Sequence, residues 1–130
     1  ARSGNGLLVL LGIGKTDTEK DAEYLLDKIV HLRILEGTRG DMDTSLLDTP
    51  EATLTVVSQF TLFGDCRKGR RPSFSNAASP ETARELYEYF ISCATQLPIR
   101  IQTGSFGAMM HVSLENRGPV TILLDSRREF

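Results

Sequence analysis

The feature of this sequence that most constrains its fold is a Gly-Pro pair, Gly118-Pro119, set between two apolar runs. The run from Ala108 to Leu114 and the run from Val120 to Leu124 both have the composition of β-strands. Because proline has no N–H to give to a ladder, the pair predicts a junction between two strands. A cis Gly-Pro bond lies only about 0.5–1 kcal/mol above the trans form. The sequence therefore leaves the isomer open.

A second fixed point is the segment Ser58-Gln59-Phe60-Thr61-Leu62, which follows the apolar run from Leu54 to Val57. Its polar side chains come where a strand ends, and a glycine and a basic loop follow. That loop, residues 63–73, has no helical or strand period and carries Arg67, Lys68, Arg70 and Arg71. Since the net charge of the chain is only −2, any contact with nucleic acid must come from a local patch of this kind.

Two helices are predicted from capping signals followed by apolar residues at helical spacing. The first begins at Thr16-Asp17-Thr18-Glu19, which has the form of a capping box, and the second at Ser79-Pro80-Glu81. Strands are predicted at residues 7–11, from His31 onward with a turn at residues 37–40, at 52–60, at 99–103 and on both sides of Gly118-Pro119. This order predicts an α+β fold in one domain, residues 1–130, with a mainly antiparallel sheet or a barrel-like β core and two helices.

Common hydrolase and cofactor motifs are missing from the sequence. The segment Gly12-Ile13-Gly14-Lys15-Thr16 lacks the earlier glycine of a phosphate-binding loop, and neither Gly-x-Ser-x-Gly nor His-Glu-x-x-His occurs. His31 and His111 lie far apart in sequence, so pairing of either with Ser58 or Thr61 as a base is the less favoured alternative. No metal and no cofactor are expected. Two isolated cysteines and the short N-terminal apolar run predict free thiols in a reducing compartment, the cytoplasm.

The segments Ser58-Gln59-Phe60-Thr61-Leu62 and Asn116-Arg117-Gly118-Pro119-Val120-Thr121 resemble the two signature motifs of the D-aminoacyl-tRNA deacylases. Residues 71–74 and 6–12 resemble that family as well, so the resemblance spans nearly the whole chain. It implies a carboxylic ester hydrolase that removes D-amino acids, and glycine mischarged on tRNA-Ala, from the tRNA 3′ end as translation quality control. It also implies a homodimer with its active site at the subunit interface. In the family, main-chain atoms of a cis Gly-Pro pair from the partner subunit exclude L side chains.

Carried over residue by residue, the resemblance implies a role for each motif position. Thr61, Ser58 and Gln59 are expected to line the catalytic pocket, with Thr61 orienting the ester or water in preference to acting as a nucleophile. The expected substrate-binding residues are Gly118 and Pro119 as the chiral filter, Asn116 and Thr121 as its braces, Phe74 as a pocket wall, and Met109 or Met110 beside it. Arg67, Lys68, Arg70 and Arg71 are the expected tRNA contacts.

Two alternatives and one departure from the family remain at this stage. The first alternative is a nucleic-acid-binding, replication-associated module without hydrolase activity, based on the basic loop. The second is a related deacylase that corrects an L-amino acid on the wrong tRNA, which would require a trans Gly-Pro bond. The departure is at the N-terminus, where the family has a further strand with a Gln-Arg-Val-like segment that this sequence is expected to lack. A missing strand would expose a sheet edge.

Overall fold

The computed structural model describes residues 2–37 and 42–130. Two helices are present, α1 (Glu19–His31) and α2 (Pro80–Thr95), together with a short 3₁₀ helix at Phe60–Phe63. The strands are β1 (Gly6–Leu11), β2 (Leu35–Glu36), β3 (Met42–Thr44), β4 (Thr53–Ser58) and β5 (Arg100–Thr103). The prediction of two helices and a sheet in a single domain is confirmed.

The main sheet has three strands in the order β1-β4-β5, and both pairings are parallel. Only the small β2–β3 pair is antiparallel. The prediction of a mainly antiparallel or barrel-like sheet is therefore wrong for the main sheet. The reason is the position of the helices in the chain, because parallel neighbours need a crossover connection of about a dozen residues or more. α1 lies in the connection from β1 to β4, and α2 lies in the connection from β4 to β5.

The local signals at the helix starts are partly where the sequence predicts them. At α2, Ser79 is the N-cap and its hydroxyl accepts a hydrogen bond from the Thr82 N–H at 3.3 Å, with Pro80 as the first helical residue. At α1, the N-cap is Thr18, and the Asp21 carboxylate accepts from its N–H at 2.7 Å. The predicted box at residues 16–19 is thus wrong by two positions, because Asp21 supplies the reciprocal acceptor.

The region after α1 also differs from the prediction. His31 is the last residue of α1 and not the start of a strand, and its ring Nδ1 lies 2.8 Å from the Asp27 carbonyl oxygen. The next strand starts only at Leu35. Residues 38–40 of the predicted turn at 37–40 lie outside the described residues.

The core forms where the two helices meet β4. Leu54 and Val56 of β4 and Phe90 of α2 are fully buried, and α1 contributes Val30. The Tyr87 hydroxyl donates a hydrogen bond to the Val56 carbonyl oxygen at 3.2 Å, which ties α2 to the central strand. β4 is consequently the most firmly held strand, and its carboxyl end carries Ser58 and Gln59.

Residues 107–123, here called the arm, have neither helix nor strand. The two strands predicted beside Gly118-Pro119 are therefore wrong for this chain, because neither run pairs with another strand among the described residues. The arm is held at both ends. Before it, the Phe106 ring packs on Tyr87 with 5.7 Å between ring centroids. After it, Leu124 packs against the core and Arg127 Nη2 lies 3.8 Å from Asp17 Oδ1.

Candidate active site

The first part of the site is built at the carboxyl end of β4. Ser58 is paired with Leu11 of β1, and the Gln59 N–H donates to the Leu11 carbonyl oxygen at 2.8 Å. The chain then turns into the 3₁₀ helix, and the Gln59 side-chain amide donates a hydrogen bond to the Thr61 hydroxyl. The sheet ladder therefore fixes the backbone of Gln59, and Gln59 in turn orients Thr61.

Two glycines to which the sequence analysis gave no role at the site, Gly12 and Gly14, pack against the 3₁₀ helix. A Cβ at Gly12 would stand 3.1 Å from Phe63 Cε2 and 3.2 Å from the Gln59 carbonyl oxygen. A Cβ at Gly14 would stand 3.0 Å from Phe63 Cζ. The 3₁₀ helix can pack this closely on the β1–α1 turn only because both positions lack side chains. The Gly-x-Gly spacing after a strand was the sequence signal for a close backbone approach.

The carboxylate of Asp17 holds the same turn. Its Oδ2 accepts a hydrogen bond from the Gly14 N–H at 2.7 Å. Burial raises the pKa of Asp17 above its ordinary value, although the hydrogen bond from Gly14 and the charge of Arg127 act in the opposite direction. Burial therefore outweighs these two favourable interactions at Asp17.

Phe74 lies beside the 3₁₀ helix that carries Thr61. Its ring meets the Phe60 ring edge to face, with 5.1 Å between centroids and 70° between planes. Both rings are partly exposed, Phe60 at 56% and Phe74 at 36%. A Cβ at Gly64 would stand 3.2 Å from Phe74 Cε1. Thr61, Phe60 and Phe74 thus form a polar position next to an open aromatic surface.

The basic loop joins this aromatic pair on its other side. Asp65 and Ser73 form an antiparallel bridge, and within the loop the Arg67 guanidinium is bound to the Asp65 carboxylate. The side chains of Lys68, Arg70 and Arg71 are exposed and have no hydrogen-bond or ion-pair partner in the part of the chain that the structure describes. The four predicted tRNA contacts therefore fall into one paired cation and three unpaired ones.

The Gly118-Pro119 turn lies on the arm and is closed by Asn116. The Asn116 Oδ1 accepts from the Val120 N–H at 2.9 Å, and its amide donates to the Thr121 hydroxyl at 2.9 Å. The Gly118–Pro119 peptide bond is cis, and Gly118 has a φ of 126°. Residues 107–119 are all exposed. Among the described residues, no hydrogen bond joins this turn to Ser58, Gln59 or Thr61.

The two methionines of the arm are placed differently. Met109 is 96% exposed, whereas Met110 packs against Gly104, with its Cε 3.3 Å from the position that a Cβ there would take. Val57 of β4 borders the same position at 3.9 Å. Met110 therefore joins the arm to the carboxyl ends of β4 and β5, while Met109 contributes an unpaired apolar surface.

The comparisons with known proteins settle the family. A sequence profile described as D-Tyr-tRNA(Tyr) deacylase matches residues 1–125. A D-aminoacyl-tRNA deacylase from Thermosipho melanesiensis is 59% identical over 126 residues, which are 96% of this chain and 83% of the relative. The chain belongs to the D-aminoacyl-tRNA deacylase family. The corresponding protein of Koribacter versatilis is 58% identical over 125 residues, again 96% of this chain and 83% of the relative. The resemblance to the D-aminoacyl-tRNA deacylases that was identified in the sequence is thereby confirmed.

Solved structures extend the comparison. The protein described as c-Myc DNA Unwinding Element Binding Protein is 39% identical to this deacylase-family chain, with a TM-score of 0.84 over 92% of this chain and 81% of its own. A probable eukaryotic D-amino acid tRNA deacylase is similar in fold, with a TM-score of 0.65, 16% identity, and coverage of 78% and 74%. Neither helix among the described residues has the length and apolarity needed to cross a bilayer.

Proposed function

We propose that this protein hydrolyses the ester bond of D-aminoacyl-tRNA, releasing the free D-amino acid and tRNA. Glycine mischarged on tRNA-Ala is the second substrate of the proposal. The observation that carries it is membership of the deacylase family over residues 1–125. Both free cysteines, Cys66 and Cys93, are compatible with a reducing compartment, and the proposal places the enzyme in the cytoplasm.

Positioning is the main chemical task in this reaction, because an aminoacyl ester is already activated by the neighbouring ribose hydroxyl. A water oxygen attacks the ester carbonyl carbon and loses a proton, the bond to the ribose oxygen breaks, and that oxygen takes up a proton, which leaves the free amino acid and the tRNA hydroxyl. The Thr61 hydroxyl already accepts a hydrogen bond from Gln59, and no histidine or carboxylate is bonded to it among the described residues. Thr61 therefore acts in the proposal by orienting the ester or the water, with Ser58 and Gln59 beside it.

Chirality is read in the proposal by exclusion. Main-chain carbonyl oxygens of Gly118 and Pro119 stand where an L side chain would project, whereas a D side chain points elsewhere. The two hydrogen bonds of Asn116 support this role, because they hold the turn in one shape. Phe74 and Phe60 offer the apolar surface on which the amino-acid side chain or the terminal adenosine packs.

The filter and the Thr61 site belong to different subunits in the proposal, which makes the enzyme a homodimer. The arm supports this arrangement because it carries exposed apolar side chains: Met109, Val112, Leu114, Ile122 and Leu123. Exposed apolar surface of this extent commonly marks an interface. In the dimer, the arm of one subunit brings Gly118 and Pro119 to the Thr61 turn of the other, and Met110 packs at the edge of that pocket.

The tRNA lies along the basic loop in the proposal. Lys68, Arg70 and Arg71 are exposed and have no ion-pair partner among residues 2–37 and 42–130, so they are available to phosphates near the 3′ end. Backbone phosphate contacts of this kind fix the position of a nucleic acid without reading its sequence.

The test is hydrolysis of matched D-tyrosyl-tRNA and L-tyrosyl-tRNA by the purified protein. Rapid loss of the D ester with the L ester intact is expected. Thr61→Ala is expected to lower kcat by about 2- to 12-fold, the size of one lost hydrogen bond, whereas loss of a nucleophile would cost on the order of 10⁶-fold. Thr61→Ser keeps the hydroxyl and is the matched control. Failure to cleave the D ester would refute the proposal.

A second candidate is DNA binding without hydrolysis. It is favoured by the similarity to the protein described as c-Myc DNA Unwinding Element Binding Protein and by the exposed basic loop. Salt-dependent binding of duplex DNA as tight as that of tRNA, with neither ester cleaved, would select this candidate.

A further inference from the structure

The basic loop is closed at its base by backbone hydrogen bonds. The Asp65 N–H donates to the Ser73 carbonyl oxygen at 2.7 Å, and the Ser73 N–H donates back to the Asp65 carbonyl oxygen at 2.9 Å. The next residue, Phe74, contacts Phe60 and lines Gly64. The base of the loop is thus joined directly to the aromatic wall of the candidate site.

Inside the loop, the Asp65 carboxylate holds Arg67 by three hydrogen bonds. Oδ1 accepts from the Arg67 N–H at 3.1 Å and from Nε at 2.9 Å, while Oδ2 accepts from Nη2 at 2.7 Å. These bonds lower the pKa of Asp65 to about 2, so the carboxylate is ionised at any working pH. This pair uses the Nε–Nη2 edge of the guanidinium in bidentate geometry, and that edge is then not available to a phosphate.

The remaining cations sit beyond this pair, at the tip. Lys68, Arg70 and Arg71 flank Gly69, which has a φ of 67° and no atom within 4 Å of a Cβ added there. The tip is exposed to solvent, and it is joined to Phe74 through the base of the loop.

We infer that Asp65 is a positioning residue for nucleic acid: its carboxylate holds Arg67 at the base of the loop and so sets where Lys68, Arg70 and Arg71 stand relative to the Thr61 site. The inference rests on the proposed function. Arg67 is then an internal brace and makes no phosphate contact of its own, in contrast to its predicted role.

Two accounts of the loop predict opposite signs for Asp65→Asn. Residues 65–73 contain four cations and one carboxylate, a net charge of +3. If the loop acted only through its charge, removal of the carboxylate would tighten tRNA binding. If Asp65 positions the loop, the same change frees Arg67 while the backbone hydrogen bonds of the base remain, so the Kd for tRNA rises by about two- to fivefold.

The experiment measures the Kd of uncharged tRNA at several salt concentrations, and kcat and KM on D-tyrosyl-tRNA. The variants are Asp65→Asn, Arg67→Gln, the double variant and Arg70→Gln. Asp43→Asn is the matched control, because Asp43 forms another exposed ion pair, with Arg33 at 2.5 Å, outside this loop. We expect Asp65→Asn and Arg67→Gln to raise Kd and KM alike, with kcat unchanged, and the double variant to be no weaker than either single one.

The salt dependence separates bracing from phosphate contact. Arg70→Gln is expected to lower the slope of log Kd against log salt by about 0.7–0.9, the value for one lost phosphate contact, whereas Arg67→Gln leaves it unchanged. Tighter binding by Asp65→Asn, a Kd equal to that of Asp43→Asn, or a lowered slope for Arg67→Gln would overturn the inference. Wild-type protein that binds tRNA but leaves the D ester intact would refute the proposed hydrolase, while the order of the Kd values would still decide the role of Asp65.

Discussion

Gly118 gives the sharpest prediction for the proposed chiral filter. Its φ of 126° lies in the region that L residues avoid, and a Cβ added there would stand 2.8 Å from Val120 Cγ2 and 3.1 Å from the Val120 nitrogen. The methyl of Val120 can rotate away, but the nitrogen is held by Asn116. Gly118→Ala therefore costs the turn about 1–3 kcal/mol, which lowers the population of its present shape by about 5- to 150-fold.

The expected result is a fall in kcat/KM for D-tyrosyl-tRNA by the same factor, or a loss of discrimination against the L ester. Because residues 107–119 are exposed, the Tm should stay within about 2–3 °C of wild type. Gly107→Ala is the matched control: Gly107 also lies on the arm at positive φ, but nothing lies within 4 Å of its added Cβ. A Gly118→Ala protein with wild-type kcat/KM and wild-type selectivity would refute the reasoning.

Three further predictions concern stability and the histidines. Phe90→Ala should lower the free energy of unfolding in urea by about 3–5 kcal/mol, since Phe90 is fully buried, and Phe90→Leu should cost less. The raised pKa of Asp17 favours the folded state below pH 3.8, and this contribution is lost as the pH rises through the folded-state pKa. The Tm of wild type minus that of Asp17→Asn should therefore fall with rising pH, and a constant difference would contradict the assignment. His31→Ala and His111→Ala should each keep deacylation within about twofold of wild type, because both side chains are exposed and neither is bonded to Thr61; loss of activity in either would count against a positioning role for Thr61.

The helices were predictable from the sequence because their signals are local. Ser79 and Pro80 start α2 as expected, and Phe90 and Ala94 of its apolar face are fully buried. The direction of the strands was not predicted, although a helix between two strands is the usual sign of a parallel pair. The order of the elements was interpreted as an antiparallel sheet, whereas the positions of α1 and α2 between the paired strands make the main sheet parallel.

At the candidate site, sequence reasoning identified the polar positions but not the contacts that support them. The order Ser58-Gln59-Phe60-Thr61 is visible in the chain, whereas the packing of Phe63 on Gly12 and Gly14 depends on how β1 meets β4. The apolar runs beside Gly118-Pro119 have strand composition but no partner among the described residues. A strand is defined by its neighbour, so these runs could not be assigned from one chain.

Attachment at both ends distinguishes the arm from a tail. Phe106 fixes its start on α2, and Leu124 and Arg127 fix its end on the core and on Asp17. A segment attached at both ends samples a small volume. The free-energy cost of holding the two ends of such a loop together grows only as about (3/2)RT ln n with its length n. Cleavage of the chain before Leu124 would leave the arm attached only at Phe106, with the same residues. A surface that binds the arm would then have to order a more mobile segment, at a larger cost in conformational entropy.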